Sequence, residues 1–190
     1  MKKKYFFYIF FSVSLGFSIM VRSQDHTIDK VVDLIDKVIK WQNQQTDHVE
    51  KYTRTNWQFA SYYIGVMKAY KATGNKDYQN FLYQVGEDHN WETLPDMYHA
   101  DKIAIGQIYL DLYQQKAEEV MIKNIKWILD ANMLRNKPMP DVRYKNNPYR
   151  HEWWSWCDAL FMAPPTFAKM YQITGDVKYL DYAIDHWLIT

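Results

Sequence analysis

The sequence predicts an all-α protein made of stacked helical hairpins. Three observations carry this reading. Apolar residues recur at helical spacing along most of the chain, no segment alternates as a strand would, and one helix–turn–helix signature occurs twice. The signature is "YKATGNKDYQNF" from Tyr70 and "YQITGDVKYLDY" from Tyr171, 101 positions later. Both read Tyr-x-x-Thr-Gly-[Asn/Asp]-x-x-Tyr-x-x-aromatic. The glycine suits the left-handed position that ends one helix, and the Asn or Asp suits the cap that begins the next.

The elements follow in order. Lys2, Lys3 and Lys4 precede an uncharged apolar run from Tyr5 to Val21, followed by "VRSQ". This is the pattern of an export signal over residues 1–23, with Gln24 as the new N-terminus and the protein periplasmic or secreted. An uncleaved membrane anchor is the alternative, because 17 residues is near the lower limit of a spanning helix. After cleavage no stable membrane association is expected. Residues 24–190 then form one (α/α) domain. Ile28, Val31, Val32, Ile35, Val38, Ile39 and Gln42 define a first helix, with Asp25 or Thr27 available as its cap. A second runs from Trp57 to Ala72 and stops at Gly74, and a third is capped by Asn75 or Asp77. Two more run from Asp101 to Tyr113 and from Ala117 to Met133. A sixth covers Asp158 to Ile173, kinked or only beginning at Pro164–Pro165, and a seventh runs from Asp176 to the end.

Tyr109 to Tyr113 followed by "QQKAEE" is a degenerate middle copy of the signature, which gives three hairpins of about 50 residues. If the inner helices are parallel, their starts at Trp57, Asp101 and Asp158 share one rim. The proline-containing segment from Leu134 to Trp153 would fold over that rim, as long connections in compact domains commonly serve function.

Charge and cysteine exclude some classes. Removing Lys2, Lys3, Lys4 and Arg22 leaves 19 cations against 22 acids, with no basic stripe, so no nucleic-acid partner is expected. The single Cys157 rules out an internal disulfide and is expected as a small buried apolar residue. None of the six histidines forms a metal-binding pair on a helix, and Gly-rich phosphate loops are absent, so neither a metal nor another cofactor is expected. Aromatics are 17% of the chain, with 16 Tyr and 8 Trp. Most will fill the core, and some can offer flat faces to sugar rings.

The densest stretch is "HEWWSWCDALFMAPP" (residues 151–165), which sets Asp158 among Trp153, Trp154 and Trp156. Aspartate at a helix start is commonly a cap, and Asp101 and Asp158 both fit that role. Burial among indoles and beside a second carboxylate instead disfavours the charged form of an acid, which is how a carboxyl comes to donate protons near neutral pH. The sequence leaves both roles open.

"HADKIAIGQIYLDLY" (99–113) and "WWSWCDALFMAPPTFAKMYQITGDVKYLDY" (153–182) resemble glycoside hydrolase family 105, the unsaturated rhamnogalacturonyl hydrolases, which are related to the unsaturated glucuronyl hydrolases. The resemblance implies a six-hairpin (α/α) barrel, of which this chain carries about half. It implies an enzyme that removes the unsaturated uronic sugar from lyase-generated, pectin-type oligosaccharides by hydrating the ring double bond. It makes Asp158 the general acid/base and Asp101 its partner. An acidic unsaturated oligosaccharide is then the ligand, with Trp57, His99, Arg150, His151, Trp153, Trp154 and Trp156 as the expected substrate-binding residues. Arg143, Lys145, Arg150 and His151 would supply cations for the sugar carboxylate. In place of the family's frequent second aspartate the chain has Lys102. Three alternatives stay open: an unsaturated glucuronyl hydrolase for another acidic polysaccharide, a glycosidase using both carboxylates, and a non-catalytic half-barrel that binds glycans or a partner.

Overall fold

The structure, a computed structural model, describes residues 28–46, 54–135, 152 and 154–190. Among these residues there are helices and no strands. The described residues fall into two compact units that divide at Gln44–Gln45, near the end of the first helix. In the first, the predicted helix forms α1 (Ile28–Thr46), with an exposed Asp33–Lys37 pair at 2.6 Å one turn apart. The export segment and the cap candidates Asp25 and Thr27 lie outside the described residues.

The second unit is the hairpin array. Its helices are α2 (Trp57–Thr73), α3 (Lys76–Asp88), α4 (Ala100–Ile103), α5 (Gly106–Lys116), α6 (Val120–Met133), α7 (Ala159–Met162), α8 (Pro164–Thr174) and α9 (Val177–Ile189). Helix α5 is central, packing on both α2 and α8, while α3, α6 and α9 each lie against the inner helix that precedes them. Its residues Gln107 to Leu112 are all buried. Among them is Asp111, whose carboxylate is reached by Lys71 of α2 at 2.9 Å and Lys169 of α8 at 2.5 Å. A buried acid shared by two lysines ties the three inner helices together where a lone one would be costly.

The signature works as its residues require. Gly74 and Gly175 adopt φ of +72° and +71°, and each donates its N–H to the carbonyl of the signature tyrosine, Tyr70 or Tyr171, at 2.8 Å. Asn75 and Asp176 then accept from Asp77 N–H and Lys178 N–H. The middle copy makes the same turn without a glycine. Ala117 takes φ +54° and donates to Tyr113 O at 2.7 Å.

Both predicted inner helices beyond α2 are broken. The reading over Asp101–Tyr113 becomes α4 and α5, and that over Asp158–Ile173 becomes α7 and α8, the second break falling at the prolines. Gln107 N–H bonds the carbonyl three residues back, Ala104 O at 3.1 Å, and so leaves Ile103 O without its helical donor. Thr166 N–H likewise turns to Ala163 O at 2.9 Å, while Pro165 has no N–H to offer Phe161 O. The two breaks satisfy each other. Thr166 Oγ1 donates to Ile103 O at 3.3 Å, and Gln107 Nε2 donates to Phe161 O at 2.9 Å and to Met162 O at 3.3 Å.

Gly106 permits this approach. A Cβ there would stand 2.5 Å from Ile125 Cγ1 and 2.8 Å from Thr166 Cγ2. Gly106→Ala is therefore expected to destabilise the fold by about 1–3 kcal/mol despite its better helix propensity. At the middle turn the opposite change helps. Ala117→Gly relieves a left-handed alanine and should stabilise by about 0.5–1 kcal/mol. Denaturant unfolding of the two variants checks both signs.

Candidate active site

The described site lies where the two short helices begin. His99, Ala100, Asp101, Trp154, Trp156, Asp158 and Ala159 line one pocket of about 150 Å³. Asp101 and Asp158, 57 positions apart, thus open on the same space. Lys102 Nζ donates to Asn56 Oδ1 at 2.9 Å, which brings the start of α2 to this end as well. Trp57, 40% exposed, is at that rim but outside the pocket lining.

Neither aspartate caps its helix with its side chain. His99 caps α4, its Nδ1 accepting from Asp101 N–H at 3.2 Å, and Asp101 sits within the first turn with Oδ2 3.8 Å from His99 Nδ1. Accepting at Nδ1 places the proton of the neutral ring on Nε2. Asp158 holds the equivalent cap position of α7, but its side chain makes no capping bond there. The capping role read from position is therefore corrected for both residues. Asp158 is also exposed, so the described residues do not seclude its carboxylate among the indoles, the other role that the sequence left open. Cys157 is exposed too, against the expectation of a buried thiol, because the turn at 157–158 carries it outward.

The tryptophans divide. Trp156 is 43% exposed and lines the pocket. Trp154 is 1% exposed and belongs mainly to the core, at 4.3 Å from His186, 5.7 Å from Phe167 and 5.8 Å from Tyr182 between ring centroids. Its Nε1–H donates to Tyr98 O at 3.2 Å. Asn132, buried on α6, donates to the adjoining Met97 O at 2.8 Å and to Ile128 O at 2.9 Å. Two core side chains therefore grip the backbone just before His99. Sequence reasoning missed Asn132, since an amide near a helix end carries no signal until its carbonyl partner is known.

Arg150, His151 and Trp153 lie outside the described residues, as do Arg143 and Lys145. The ends of that segment are tied, with the Arg135 guanidinium paired to the Glu152 carboxylate and set over the Tyr98 ring at 4.3 Å. Among the described residues no group of three His, Cys, Asp or Glu is arranged to hold a metal ion.

His186 underlies this wall. It is buried, its Nδ1 has no partner, and burial pushes its pKa down to about 4, with Asp185 opposing and Arg135 adding to the shift. The unfolded chain binds the proton near pH 6.5 and the folded one only near 4. Stability from this group is therefore complete above about pH 6.5 and is lost as pH falls toward 4, by on the order of 3 kcal/mol at most. His186→Phe should flatten that slope when thermal unfolding is followed between pH 7 and 4.

The comparisons with known proteins agree with this architecture. Residues 30–190 match the model of Glycosyl Hydrolase Family 88. An unsaturated 3S-rhamnoglycuronyl hydrolase of Alteromonas sp. (strain LOR) is 37% identical over 138 residues, covering 66% of this chain and 33% of that protein. One of the same name from Formosa agariphila is 30% identical over 156 residues, covering 81% and 41%. The chain thus spans well under half the length of these relatives. Among solved structures, a glycosyl hydrolase family 88 protein from Bacteroides vulgatus has a TM-score of 0.64 at 24% identity, over 84% of this chain and 47% of that one. A protein described as a polysaccharide lyase has a TM-score of 0.67 at 25% identity, over 85% and 46%. The likeness supports a hairpin array that is about half of a six-hairpin fold. With the match running from residue 30 to the last residue, the chain belongs to Glycosyl Hydrolase Family 88.

Proposed function

We propose that this chain carries the acid pair of an exported hydrolase that removes an unsaturated uronyl sugar joined to rhamnose. The observation that carries the proposal is the convergence of Asp101 and Asp158 on one pocket beside His99 and an exposed indole. Both curated relatives are named for a rhamnoglycuronyl substrate, and the motif resemblance points to rhamnogalacturonan fragments. A uronyl–rhamnose unit is common to the two. The leader pattern of residues 1–23 supports export, where such polymers are met.

In the proposed reaction Asp158 gives its proton to carbon 4 of the ring double bond, and water adds at carbon 5. The resulting hemiketal opens, and the glycosidic bond collapses to free the shortened oligosaccharide. Asp101, hydrogen-bonded through its own N–H to His99, is the positioned partner that orients water or shares the proton. Trp156 supplies an apolar face for the flat, unsaturated ring.

A second reading, glycan binding without turnover, is favoured by one observation: Asp158 stands exposed in a pocket of only about 150 Å³. Ultraviolet absorbance separates the two, because the conjugated double bond disappears on hydration and survives mere binding.

Asp158→Asn keeps the shape and removes the transferable proton. The expected result is a fall in kcat of about a hundredfold to ten-thousandfold. The unfolding midpoint should stay near the parent value, since the parent side chain makes no cap bond. Parent-rate loss of absorbance in a folded Asp158→Asn variant would remove this residue from the chemistry.

A further inference from the structure

Among the described residues a second cavity is larger than the one at the acid pair. A groove of about 410 Å³ lies on the outside of the middle hairpin, lined by Asn90, Glu92, Val120, Lys123, Asn124 and Trp127. We propose that this groove is a second saccharide site, in which a pyranose ring stacks on Trp127 and its hydroxyls meet Asn90, Glu92, Lys123 and Asn124.

The repeat explains why the groove exists. In register, α3, α6 and α9 bury Tyr78, Met121 and Tyr179, then Leu82, Ile125 and Ala183, then Val85, Ile128 and His186. The outer two hairpins place a ring at Phe81 and Tyr182, packed on Tyr63 at 5.8 Å and on Phe167 at 4.8 Å. The middle hairpin has Asn124 there instead. Where the others have Gln84 and Asp185, it presents Trp127, 56% exposed. The third hairpin also exposes an indole, Trp187, but only the middle one sets its indole beside an amide that replaces the packing ring.

The polar groups are held ready. Asn90 and the next residue, Trp91, both take left-handed backbone, with φ of +52° and +57°, a strained pair that the surroundings must impose. Trp91 is the anchor, buried against Tyr109 at 5.3 Å and bonded through its N–H to Gly86 O at 2.8 Å. Tyr109 Oη donates to Glu92 O at 3.1 Å, and Thr93 N–H donates to Asn124 Oδ1 at 3.2 Å. Asn90 and Glu92 therefore flank a fixed residue and point from a fixed loop. Among the described residues, the side chains of Asn90, Glu92 and Lys123 and the Asn124 amide nitrogen have no protein partner.

The donor set selects the ligand class. One carboxylate and one ammonium leave the groove without net charge, which does not favour a highly charged polymer backbone as the direct contact. Two amides, a carboxylate and an ammonium around one indole offer both donors and acceptors to a ring carrying several hydroxyls. A protein partner would need a wider apolar surface than Val120 and Trp127 provide. The choice of sugar rests on the function proposed above, and the neutral rhamnose of a rhamnose–uronate oligomer fits this groove better than the uronate does.

The test uses the full chain and a saturated hexasaccharide of alternating rhamnose and glucuronate, which offers no double bond to hydrate. The Trp127 indole N–H signal, assigned by its loss in Trp127→Phe, should move on titration. Affinity should fall about tenfold in Trp127→Ala, the loss of one stacked ring, and should persist in Asp158→Asn. An unmoved Trp127 signal, or equal affinity in Trp127→Ala, overturns the proposal. So does a Trp127→Ala variant whose sedimentation mass changes while its sugar affinity does not, which would make the groove a protein contact. Turnover of unsaturated oligosaccharide is read separately. A chain that binds at Trp127 and turns nothing over refutes the hydrolase reading and supports the groove.

Discussion

The site depends on one exchange of hydrogen bonds between two broken helices. Gln107 serves the carbonyls that Pro165 and the turned Thr166 leave without donors, and Thr166 serves the carbonyl that Gln107 itself abandons. Each residue does the same two things, bonding three residues back along its own chain and reaching across with its side chain. A buried carbonyl left without a partner costs roughly 1–3 kcal/mol, so either break alone would be unfavourable. Together they are satisfied, and the geometry that satisfies them sets α4 beside α7. The pocket of Asp101 and Asp158 is the consequence.

The second requirement is a rigid wall behind that pocket. Trp154 and Asn132 hold the carbonyls of Tyr98 and Met97, and His186 fills the space behind Trp154. Other copies of the repeat put Val85 or Ile128 at the position of His186. The third hairpin accepts a buried imidazole with an unpartnered nitrogen where an aliphatic side chain would be simpler. What it gains is a flat ring against the indole, at the acid sensitivity that any buried neutral histidine brings.

How much of this was legible varies with the range of the forces involved. The hairpins were readable because their signals are local: Gly74 and Gly175 end helices, and Asn75 and Asp176 begin them. Ala117 was harder, since alanine advertises no left-handed turn, and only the tyrosine four residues earlier marks it as a copy. The two aspartates could be selected from the motif strings, and hairpin phase alone placed them at one rim. Their roles at the helix starts could not be read, because a residue's own preference for capping says nothing of a histidine two positions earlier that caps instead. Exposure of Asp158 and Cys157 was hidden for a similar reason. Three tryptophans nearby look like burial in sequence, but Trp154 turns into the core and Trp156 away from it. Asn124 and Trp127 gave no signal until the three outer helices were set in register.

The broken helices also explain why the two acids line an open pocket. An unbroken inner helix would run its first turn straight into the array, with side chains at its start committed to packing on neighbours. Ending the ordered run at Ala104–Ile105 and at Ala163 lets each four-residue segment tilt independently of the helix behind it. Those short segments contribute little packing of their own, with Ala100, Ile103, Ala159 and Met162 as their buried residues. Their remaining side chains are thereby released from the core. Such a segment has too little stability to hold an orientation alone, so the crossing bonds of Gln107 and Thr166 and the grip on Met97 and Tyr98 must supply it. In this fold the opening of the acids onto one pocket and the rigidity beneath them arise from the same two helix breaks.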